Sequence, residues 1–510
     1  MTTDTDGTAV FPSCVLILGL GETGLASALW CLRQNAALHI VDTRDNPPGL
    51  VALQEHGEAD ITQFLGEQAF TDAALEGVQQ IVLSPGLAPS EPALAAFLHK
   101  AQQRQIPIIG EIELFALALA DLAAAQDYRP RVLAITGTNG KTTVTSLTQA
   151  MLQTAGKTAI AAGNISPSAL TALMQAMDTE SLPEAWVLEL SSFQMQTTRS
   201  LVPDAAAVLN LTQDHLDWHR DMQEYAAAKA SLLAASRIAI VNRNDAAVVA
   251  MVADIHDVQV RSFGVDGPPL VGDTGMESAH GVLWITASEK DDFELPEAPS
   301  ARRRKNVEKP KRKAGLLKRL MPADAMQIRG QHNMLNVQAA MLLCRELGIG
   351  WGPMLNTLRE FSAGLYRTQF ERSIRGVDFF NDSKGTNVGA TAAALDGMGR
   401  DIVLIAGGVG KGQDFSPLAA PVRRCARAVI LMGQAAEQIE QALAQTGVAC
   451  HRVPSMQAAV SQALALAQPG DAVLMSPACS SFDMFESYAH RGQVFSEAVQ
   501  ELALDNGEVA

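Results

Sequence analysis

Residues 136–143 read Thr136-Gly137-Thr138-Asn139-Gly140-Lys141-Thr142-Thr143, and this stretch decides the fold class of the chain. It follows an apolar run at 131–135 that predicts a buried strand, and a helix is predicted to follow it. A strand, a glycine-rich turn and a helix in this order are typical of α/β domains, in which anions bind at the helix N-terminus.

The glycines and the lysine of this stretch predict a phosphate loop. Gly137 and Gly140 allow backbone N–H groups to point toward an anion, and the positive end of the helix adds to the field. Lys141 can reach the β- and γ-phosphates of a nucleotide, and the hydroxyl of Thr142 or Thr143 can bind Mg²⁺. The complete P-loop pattern is not met, because an isoleucine replaces its first glycine. ATP is still the favoured ligand, since a lysine and a hydroxyl directly follow the second glycine.

A second glycine-rich turn lies near the N-terminus. The pattern Gly19-x-Gly21-x-x-Gly24 follows the apolar run 15–18, and Asp42 ends the next predicted strand. This order matches the dinucleotide fingerprint, in which glycines allow a diphosphate to approach and an acidic residue binds a ribose. Taken alone it supports an NAD-dependent oxidoreductase, although the diphosphate of another nucleotide would suit the same turn. Close packing of helix on strand without a ligand is the structural alternative.

Similar units of strand, loop and helix recur along the chain. Further apolar runs that predict strands lie at 15–18, 38–41, 80–83, 186–190, 206–210, 237–242, 377–380, 402–406, 426–432 and 472–475. We therefore predict an α/β protein with mostly parallel sheets covered by helices. A chain of 510 residues is expected to form about three domains. They are a Rossmann-like domain at 1–110, a P-loop-type ATPase domain at 111–364 and a second Rossmann-like domain at 365–510.

A basic segment interrupts the central domain at about residues 296–322. Residues 302–319 contain ten Lys or Arg and a single acid, with prolines on both sides. The favoured interpretation is a solvated, flexible insertion that catalysis does not need. A basic arm that touches an anionic membrane surface is the weaker alternative.

Composition narrows the class of protein. The net charge of −16 argues against nucleic-acid binding, and 47% hydrophobic residues allow a large core. The six cysteines form no C-x-x-C pair, which favours a reducing cytoplasm over a disulfide framework. The N-terminus lacks a basic signal region, and we expect no membrane insertion because no apolar run reaches the roughly 20 residues of a spanning helix.

Three further side chains have candidate roles in metal binding or catalysis. Glu189 ends a predicted buried strand, where a carboxylate is costly unless it is paired or binds a metal. His215 follows the strand 206–210, and beside a phosphate loop a metal role is as favoured as a structural one. Lys229 lies in an alanine-rich helical stretch and looks from the sequence alone like a surface lysine.

Together these motifs resemble the Mur ligase family, which also includes folylpolyglutamate synthetase. The phosphate loop carries the family resemblance, and five further stretches resemble the members that add D-glutamate. They are Leu188-Glu189-Leu190-Ser191-Ser192-Phe193-Gln194, Gly330-Gln331-His332-Asn333-Met334-Leu335-Asn336, Asn381-Asp382-Ser383-Lys384-Gly385-Thr386-Asn387, Gly407-Gly408-Val409-Gly410-Lys411 and Ser476-Pro477-Ala478-Cys479-Ser480-Ser481-Phe482-Asp483. The resemblance covers nearly the whole chain except the extreme N-terminus and the basic segment.

The resemblance implies an ADP-forming, ATP-dependent ligase of peptidoglycan precursor synthesis. It would join D-glutamate to UDP-N-acetylmuramoyl-L-alanine through an acyl phosphate, as a cytoplasmic monomer. Two Mg²⁺ ions are implied, one bound by Thr142 and Glu189 and the other by His215 and a carbamylated Lys229. Lys141 would be catalytic together with Glu189, His215 and Lys229.

The resemblance also implies three sets of substrate-binding residues. ATP would contact Gly137, Thr138, Asn139, Gly140, Lys141, Thr142, Thr143, Asn333, Asn336, Arg367 and Asp382. The UDP-sugar would contact Glu22, Thr23, Asp42, Thr43, Arg44, Gly86 and Asn164. D-Glutamate would contact Lys384, Thr386, Lys411, Ser481, Phe482 and Tyr488.

One departure from the family pattern leaves a nucleotide contact open. The family has an arginine two residues before a glutamate at the start of the third domain, and counting back from Glu371 puts Gln369 there. Arg367 takes that role only if the turn is one or two residues longer. Three competing functions also stay open at this point, namely another ligase of the family, an NAD-dependent oxidoreductase and a nucleotide-gated binding protein without turnover.

Overall fold

A computed structural model describes residues 2–3, 9–55, 60–216, 218–255, 257–290, 312–328, 330–362 and 364–508 of the chain. The predicted α/β architecture is confirmed, because three parallel or mostly parallel sheets follow one another along the chain. The predicted strands are all present, with ends shifted by no more than about two residues, the usual uncertainty of such boundaries. None of the helices in these ranges combines the length and the apolar character that crossing a lipid bilayer requires.

The first part of the chain forms a five-stranded parallel sheet. Its elements are β1 (Thr2–Thr3), β2 (Ala9–Val10), β3 (Cys14–Leu18), α1 (Glu22–Arg33), β4 (Ala37–Asp42), α2 (Leu50–Gln54), β5 (Ile61–Leu65), β6 (Gln80–Leu83), α3 (Pro92–Gln103), β7 (Ile108–Ile109) and α4 (Glu111–Gln126). The strand order is β5-β4-β3-β6-β7. Side chains of β3 point alternately to two apolar clusters, Val15 and Ile17 to one and Leu16 and Leu18 to the other. Both faces of the sheet are therefore covered.

The central part is built on a six-stranded parallel sheet. Its elements are β8 (Arg131–Thr136), α5 (Lys141–Thr154), β9 (Ala159–Gly163), α6 (Ala169–Asp178), β10 (Ala185–Glu189), α7 (Ser192–Gln196), β11 (Ala205–Val208), α8 (Met222–Ala235), β12 (Ile238–Asn242), α9 (Ala246–Ala250), β13 (Gln259–Phe263), β14 (Thr274–Ala279), β15 (Val282–Glu289), β16 (Leu316–Pro322), α10 (Gln331–Glu346) and α11 (Trp351–Glu360). The order β13-β12-β11-β8-β10-β9 puts the strand before the phosphate loop in the interior of the sheet. The carboxyl ends of its neighbours therefore lie around that loop.

A small antiparallel sheet of order β14-β15-β16 follows the parallel one and was not predicted. Here the interpretation of residues 302–319 as a solvated loop is wrong for the C-terminal part. Residues 302–311 lie outside the described residues, but β16 pairs with β15. Arg312 donates to Asp273 at 2.6 Å, and the Asp273 side chain is only 1% exposed. The end of the basic segment is thus part of the folded central domain.

The last part of the chain forms a six-stranded mixed sheet. Its elements are β17 (Gln369–Ile374), β18 (Val377–Asn381), α12 (Val388–Gly397), β19 (Ile402–Gly407), α13 (Ala419–Cys425), β20 (Ala426–Met432), α14 (Ala436–Leu443), β21 (Ala449–Arg452), α15 (Met456–Leu466), β22 (Ala472–Met475) and α16 (Tyr488–Asp505). The order is β17-β18-β22-β19-β20-β21, in which only β17 runs antiparallel to its neighbour. The carboxyl ends of β18, β19 and β22 therefore lie side by side.

Helix α4 connects the first sheet to the central one. Two acidic residues in its first turn accept hydrogen bonds from central backbone N–H groups. Glu111 Oε1 accepts from Leu170 at 2.6 Å, and Glu113 Oε2 accepts from Arg199 at 2.6 Å and from Ser200 at 2.8 Å. Burial raises the pKa of Glu111 to about 7, although the hydrogen bond from Leu170 lowers it. The domain boundaries at residues 110 and 364 stay predictions.

Removal of Arg312 tests whether the end of the basic segment is structural. We expect Arg312→Ala to lower the free energy of unfolding by about 3 kcal/mol, because the buried Asp273 carboxylate loses its charge partner. The matched variant Arg319→Ala breaks an exposed ion pair with Glu277, 2.7 Å long, and should cost less than about 1 kcal/mol. Chemical denaturation followed by circular dichroism measures both. Equal costs would contradict the buried contact.

Candidate active site

The loop after β8 owes its shape to two glycines. Gly137 and Gly140 have φ angles of +151° and +87°, which residues with a side chain rarely adopt. A Cβ atom on Gly140 would lie 2.4 Å from Asn336 Oδ1, so this position has no room for one. The Asn139 N–H donates to Asn210 Oδ1 at 2.8 Å, which holds the middle of the loop. The loop therefore presents backbone at the start of α5, where a phosphate can bind.

The lysine of the loop lies folded over it. Lys141 Nζ donates to the carbonyl oxygens of Gly137 and Thr138, both at 3.0 Å. Burial lowers the pKa of Lys141, and the nearby carboxylates of Glu189 and Asp214 oppose that shift. An arriving phosphate would offer the ammonium group stronger, charged acceptors than these carbonyls.

Glu189 ends β10 beside the loop, as the sequence predicted. Its side chain is 2% exposed, and Oε1 accepts a hydrogen bond from Asn164 Nδ2 at 3.1 Å. The other oxygen, Oε2, is buried and has no hydrogen-bond partner among the described residues. An unpaired, buried carboxylate oxygen is costly, and a hard cation would satisfy it. This residue therefore fits the implied Mg²⁺.

The expectation that Lys229 lies on the surface is wrong. It is 1% exposed, and its Nζ donates to Gly137 O at 3.2 Å and to Thr136 Oγ1 at 3.4 Å. The ammonium group also lies 4.4 Å from the centre of the Tyr225 ring. Burial holds the pKa of Lys229 well below its usual value, and the charge of Lys141 lowers it further. Helix α8 thus places this side chain against the start of the phosphate loop, at Thr136 and Gly137.

His215 lies in a turn of the central domain and has a left-handed φ of +55°. Burial lowers its pKa to about 4; Asp214 opposes the shift, and Lys411, Lys141 and Lys229 add to it. The imidazole is therefore neutral at pH 7, the form that binds metals.

Two side chains that hold this turn were not singled out from the sequence. His219 is 1% exposed, and its Nε2 lies 2.8 Å from Ser192 Oγ. The Tyr225 hydroxyl lies 3.2 Å from Thr138 Oγ1 of the phosphate loop. Within the described ranges, no three His, Cys, Asp or Glu side chains converge into a preformed metal cage. Substrate phosphates and water are the oxygen donors that would complete the coordination of Mg²⁺ at such a site.

A cavity of about 250 Å³ opens between the phosphate loop, α10 and the last domain. Among the predicted nucleotide contacts it is lined by Asn139, Gly140, Thr143, Asn333, Asn336, Arg367 and Asp382, together with Lys384. Asn210, Asn242 and Phe263 also line it and were missed. They end or directly follow β11, β12 and β13, and that position at the carboxyl ends of parallel strands could have indicated them.

The cavity distinguishes Arg367 from Gln369. Arg367 lines it, and burial lowers the pKa of that guanidinium while Glu189 and Asp382 oppose the shift. Gln369 begins β17, does not line this cavity, and its Oε1 accepts a hydrogen bond from the Tyr366 N–H at 3.1 Å. The geometry thus favours Arg367 as the nucleotide contact.

Asp382 forms the wall of the cavity that belongs to the last domain. Its Oδ1 accepts from the Thr368 N–H at 3.0 Å, and its Oδ2 accepts from Ser476 Oγ at 2.7 Å. Burial raises the pKa of Asp382 to about 6, although these hydrogen bonds and Arg367 favour the charged form. The carboxylate is therefore held in one orientation at the end of β18.

The central and last domains meet beside the phosphate loop through a reciprocal amide pair. Asn139 Nδ2 donates to Asn387 Oδ1 at 3.1 Å, and Asn387 Nδ2 donates to Asn139 Oδ1 at 2.9 Å. Asn387 Nδ2 also lies 3.3 Å from Asp214 Oδ2. A Cβ atom on Gly389 would lie 2.7 Å from Thr212 Oγ1, so the backbone at Gly389 packs closely against the Thr212 side chain. The 384–387 loop is therefore docked against the phosphate loop.

The predicted glutamate contacts come from three loops at the carboxyl ends of β18, β19 and β22. Lys384 lies over the Tyr488 ring, with Nζ 3.6 Å from its centre. Lys411 has a left-handed φ of +49°, Ser481 is 2% exposed, and the Phe482 ring is 73% exposed. Thr386 is half-buried beside Lys384.

Backbone pairing joins two of these three loops. Val409 and Ser480 exchange hydrogen bonds of 2.9 and 3.1 Å. These bonds bring the loop that ends at Lys411 next to Ser481. The structure thus groups cations, hydroxyls and aromatic rings beside the nucleotide cavity.

The first domain has its own cluster of predicted contacts. Asp42 is 3% exposed and accepts four hydrogen bonds, from the Leu20 N–H and from the backbone N–H, Nε and Nη2 of Arg44. Burial alone would raise the pKa of Asp42, but the bonds from Arg44 and Leu20 hold it below its usual value. Both oxygens are thus already paired, which disfavours the ribose contact of an NAD site.

The other predicted UDP contacts surround this carboxylate at the carboxyl ends of β3, β4 and β6. Glu22, Thr43, Arg44 and Gly86 are exposed there, and Thr23 is half-buried. Gly24 is required for packing, since a Cβ atom on it would lie 1.8 Å from the carbonyl oxygen of Gly19. None of these residues lines the nucleotide cavity. Asn164, which bonds Glu189, lies instead in the central domain.

Three family models match consecutive parts of the chain. Residues 13–110 match the Mur ligase MurD-like, N-terminal domain. Residues 135–344 match the Mur ligase middle domain, and residues 366–479 match the Mur ligase, glutamate ligase domain. The matched ranges contain the first turn, the phosphate loop and the three loops of the last domain in that order.

Curated relatives resemble the chain over its whole length. It is 58% identical over 511 residues to a UDP-N-acetylmuramoylalanine--D-glutamate ligase of Bordetella bronchiseptica, covering 100% of both chains. It is 52% identical over 495 residues to the ligase of that name from Ralstonia nicotianae, covering 97% of this chain and 98% of the relative.

Solved structures share the fold at low identity. The MurC UDP-N-acetylmuramate-alanine ligase of Thermotoga maritima matches with a TM-score of 0.53 and 16% identity, covering 96% of this chain and 99% of that one. The MurF ligase of Thermotoga maritima, solved in complex with ADP, matches with a TM-score of 0.55 and 15% identity over 86% and 93% of the two chains. The family models, the full-length relatives and the shared three-sheet fold agree, and the chain belongs to the Mur ligase family.

Proposed function

We propose that this protein joins D-glutamate to UDP-N-acetylmuramoyl-L-alanine, coupled to cleavage of ATP to ADP and phosphate, a step of peptidoglycan precursor synthesis. One observation supports this most: the phosphate loop and the loop with Lys384 line one cavity, and Asn139 of the first loop is hydrogen-bonded to Asn387 at the end of the second. The relatives that are more than half identical over their full length carry the name of this reaction.

The chemistry requires two steps on the same carboxyl group. The carboxylate of the alanyl group attacks the γ-phosphorus of ATP, the bond to the β-phosphate oxygen breaks, and an acyl phosphate and ADP form. The uncharged amine of glutamate then attacks the acyl carbon, and the tetrahedral intermediate expels inorganic phosphate as the amide forms. A carboxylate is a poor electrophile for an amine, so ATP is chemically required.

The residues of the chain position these groups and balance their charge. Lys141 and the backbone of the phosphate loop would hold the β- and γ-phosphates, and Arg367 with Asn333, Asn336 and Asp382 would hold the rest of the nucleotide. Mg²⁺ at Glu189, Thr142 and His215 would neutralise charge on the transferred phosphoryl group. Lys384 and Lys411 would bind the two carboxylates of glutamate, with hydroxyls from Thr386 and Ser481.

The first domain would bind the uridine diphosphate end of UDP-N-acetylmuramoyl-L-alanine. Arg44 offers a half-exposed guanidinium whose orientation Asp42 fixes by two side-chain hydrogen bonds. A guanidinium beside a helix N-terminus suits a diphosphate. The six unpaired cysteines and the nucleotide substrates support a cytoplasmic site of action.

Lys229 would carry a carbamate that binds Mg²⁺. An amine reacts with CO₂ only in its uncharged form, giving a carbamate anion and releasing one proton. Because burial and Lys141 hold the pKa of Lys229 well below its usual value, the uncharged form is more abundant here than on a surface lysine. The product would place a negative oxygen donor beside Lys141 and the phosphates.

Phosphate release with a panel of amino acids tests the proposed reaction. We expect steady release only when UDP-N-acetylmuramoyl-L-alanine and D-glutamate are both present. D-Aspartate, one methylene shorter, should react about 100-fold less efficiently in kcat/KM, because one carboxylate is misplaced. L-Glutamate should also be poor, because its amine lies off the line of attack. Phosphate release that does not depend on the amino acid, or that is faster with L-glutamate than with D-glutamate, would contradict the proposal.

Calorimetric titration separates a UDP-sugar site from an NAD site. We expect binding of UDP-N-acetylmuramoyl-L-alanine and no heat from NAD or NADP. Arg44→Ala should weaken UDP-sugar binding about tenfold or more through loss of a charged hydrogen bond. Arg104→Ala, at an exposed arginine of the same domain, is the control and should bind like the parent. Tight NAD binding without a UDP-sugar signal would overturn this assignment.

Substitution of Lys229 tests the carbamate. Lys229→Ala should lose activity by about 100-fold or more while its far-UV spectrum stays unchanged. Lys157→Ala removes an exposed lysine of the same domain and should be fully active. In the parent, [¹³C]bicarbonate should give a carbamate signal by NMR that Lys229→Ala lacks. Full activity of Lys229→Ala would refute the role, as would a signal that persists in it.

A further inference from the structure

A fully buried arginine lies beneath the predicted glutamate pocket. Arg491, in the first turn of α16, is 2% exposed and is among the largest fully buried side chains of the described residues. Arginine is almost never buried to this extent unless its donors are satisfied. The proposed reaction assigns no role to this residue.

The guanidinium bonds to three oxygens, all of them neutral. Nε donates to Ser383 Oγ at 3.0 Å, Nη2 donates to Ser383 O at 2.9 Å, and Nη1 donates to Cys479 O at 3.1 Å. Burial lowers the pKa of Arg491 to about 10, which leaves it charged at neutral pH. Among the described residues no carboxylate forms an ion pair with it, and the charges of Asp483 and Asp382 stabilise its charged form without direct contact. Its positive charge is therefore only partly compensated.

The three acceptors lie in the loops that carry the pocket. Ser383 directly precedes Lys384, and Cys479 lies two residues before Ser481. Ser383 Oγ also donates to the carbonyl oxygen of Tyr488 at 2.7 Å, the residue whose ring lies under Lys384. One side chain therefore sets the spacing of the loops after β18 and β22 and the start of α16.

We propose that Arg491 is the positioning residue of the glutamate pocket, which rests on the proposed function. Its fork of donors fixes the Lys384 loop and the Ser481 loop relative to each other. The part of its charge that is not compensated adds to the field of Lys384 and Lys411, which favours a substrate with two carboxylates. Arg491 does not contact substrate in this role.

Two variants separate positioning from folding. Arg491→Lys keeps the charge but cannot reach all three acceptors, because its donors radiate from one nitrogen atom. We expect the KM for D-glutamate to rise about tenfold or more, as for loss of one charge-assisted hydrogen bond, with the KM for ATP within about twofold. Ser383→Ala removes a single acceptor and should raise the KM for D-glutamate by a smaller factor.

The double variant and a surface control complete the test. If the two residues act through one contact, Arg491→Lys with Ser383→Ala should raise the KM for D-glutamate by less than the product of the single effects. Arg423→Lys alters an exposed arginine of the same domain and should match the parent in every constant. Melting temperatures are measured for all variants.

The outcomes are distinct. A parent protein that releases no phosphate in response to glutamate overturns the proposed function and this inference with it. An active parent whose KM for D-glutamate is unchanged in both single variants overturns the inference alone. Equal losses in the KM values for glutamate and ATP, together with a lower melting temperature, would also overturn it, because they show a structural role only. Should Arg491→Lys fail to fold, Ser383→Ala decides.

Discussion

The site depends on an excess of buried positive charge around one loop. Lys141 and Lys229 both donate hydrogen bonds to the Gly137 carbonyl oxygen, and Arg367 lines the cavity from the last domain. Burial lowers the pKa of Lys229, and the crowding of cationic groups, through the charge of Lys141, lowers it further. Burying cations is costly without anions to compensate them, and the neighbouring carboxylates of Glu189 and Asp382 do so only in part. Substrate phosphates supply the missing negative charge. This requirement explains why parts of two domains converge there and why so many pKa values are shifted in this region.

Much of the fold could be predicted because apolar strands and glycine turns are local signals. The strands before Gly137 and before Gly19 were predicted from short apolar runs, and Glu189 was singled out because it ends such a strand. The burial of Lys229 could not be found in this way. Its helix is rich in alanine and has no apolar stripe, so packing against β11 and β12 decides which face is buried. Strand β16 was also missed, because pairing with β15 rather than its own basic and exposed side chains makes it a strand.

The two domain contacts of the central sheet differ in kind. Toward the first domain, one apolar cluster runs from Ile17 through Phe115 to Trp186, and Glu111 and Glu113 are bonded across it. Toward the last domain, the contact beside the phosphate loop consists of side-chain amides and of the Gly389 backbone against the Thr212 side chain. Apolar burial holds the first pair together strongly, whereas polar contacts of this kind are typical of domains that move relative to each other. Opening of the cleft for substrate exchange would therefore occur on the side of Asn387.

The reciprocal amide pair between Asn139 and Asn387 is itself uncharged, and this sets it apart from the residues that capture substrate. Salt screens the attraction between lysines and anionic ligands, and its effect on a contact between two neutral amides is small. Neither amide titrates between pH 4 and 10, whereas Asp382, with its pKa of about 6, does. Docking of the domains and recruitment of the anions would thus respond to different solution variables. A rise in ionic strength would slow loading of the cleft while leaving the geometry of the docked state as it is.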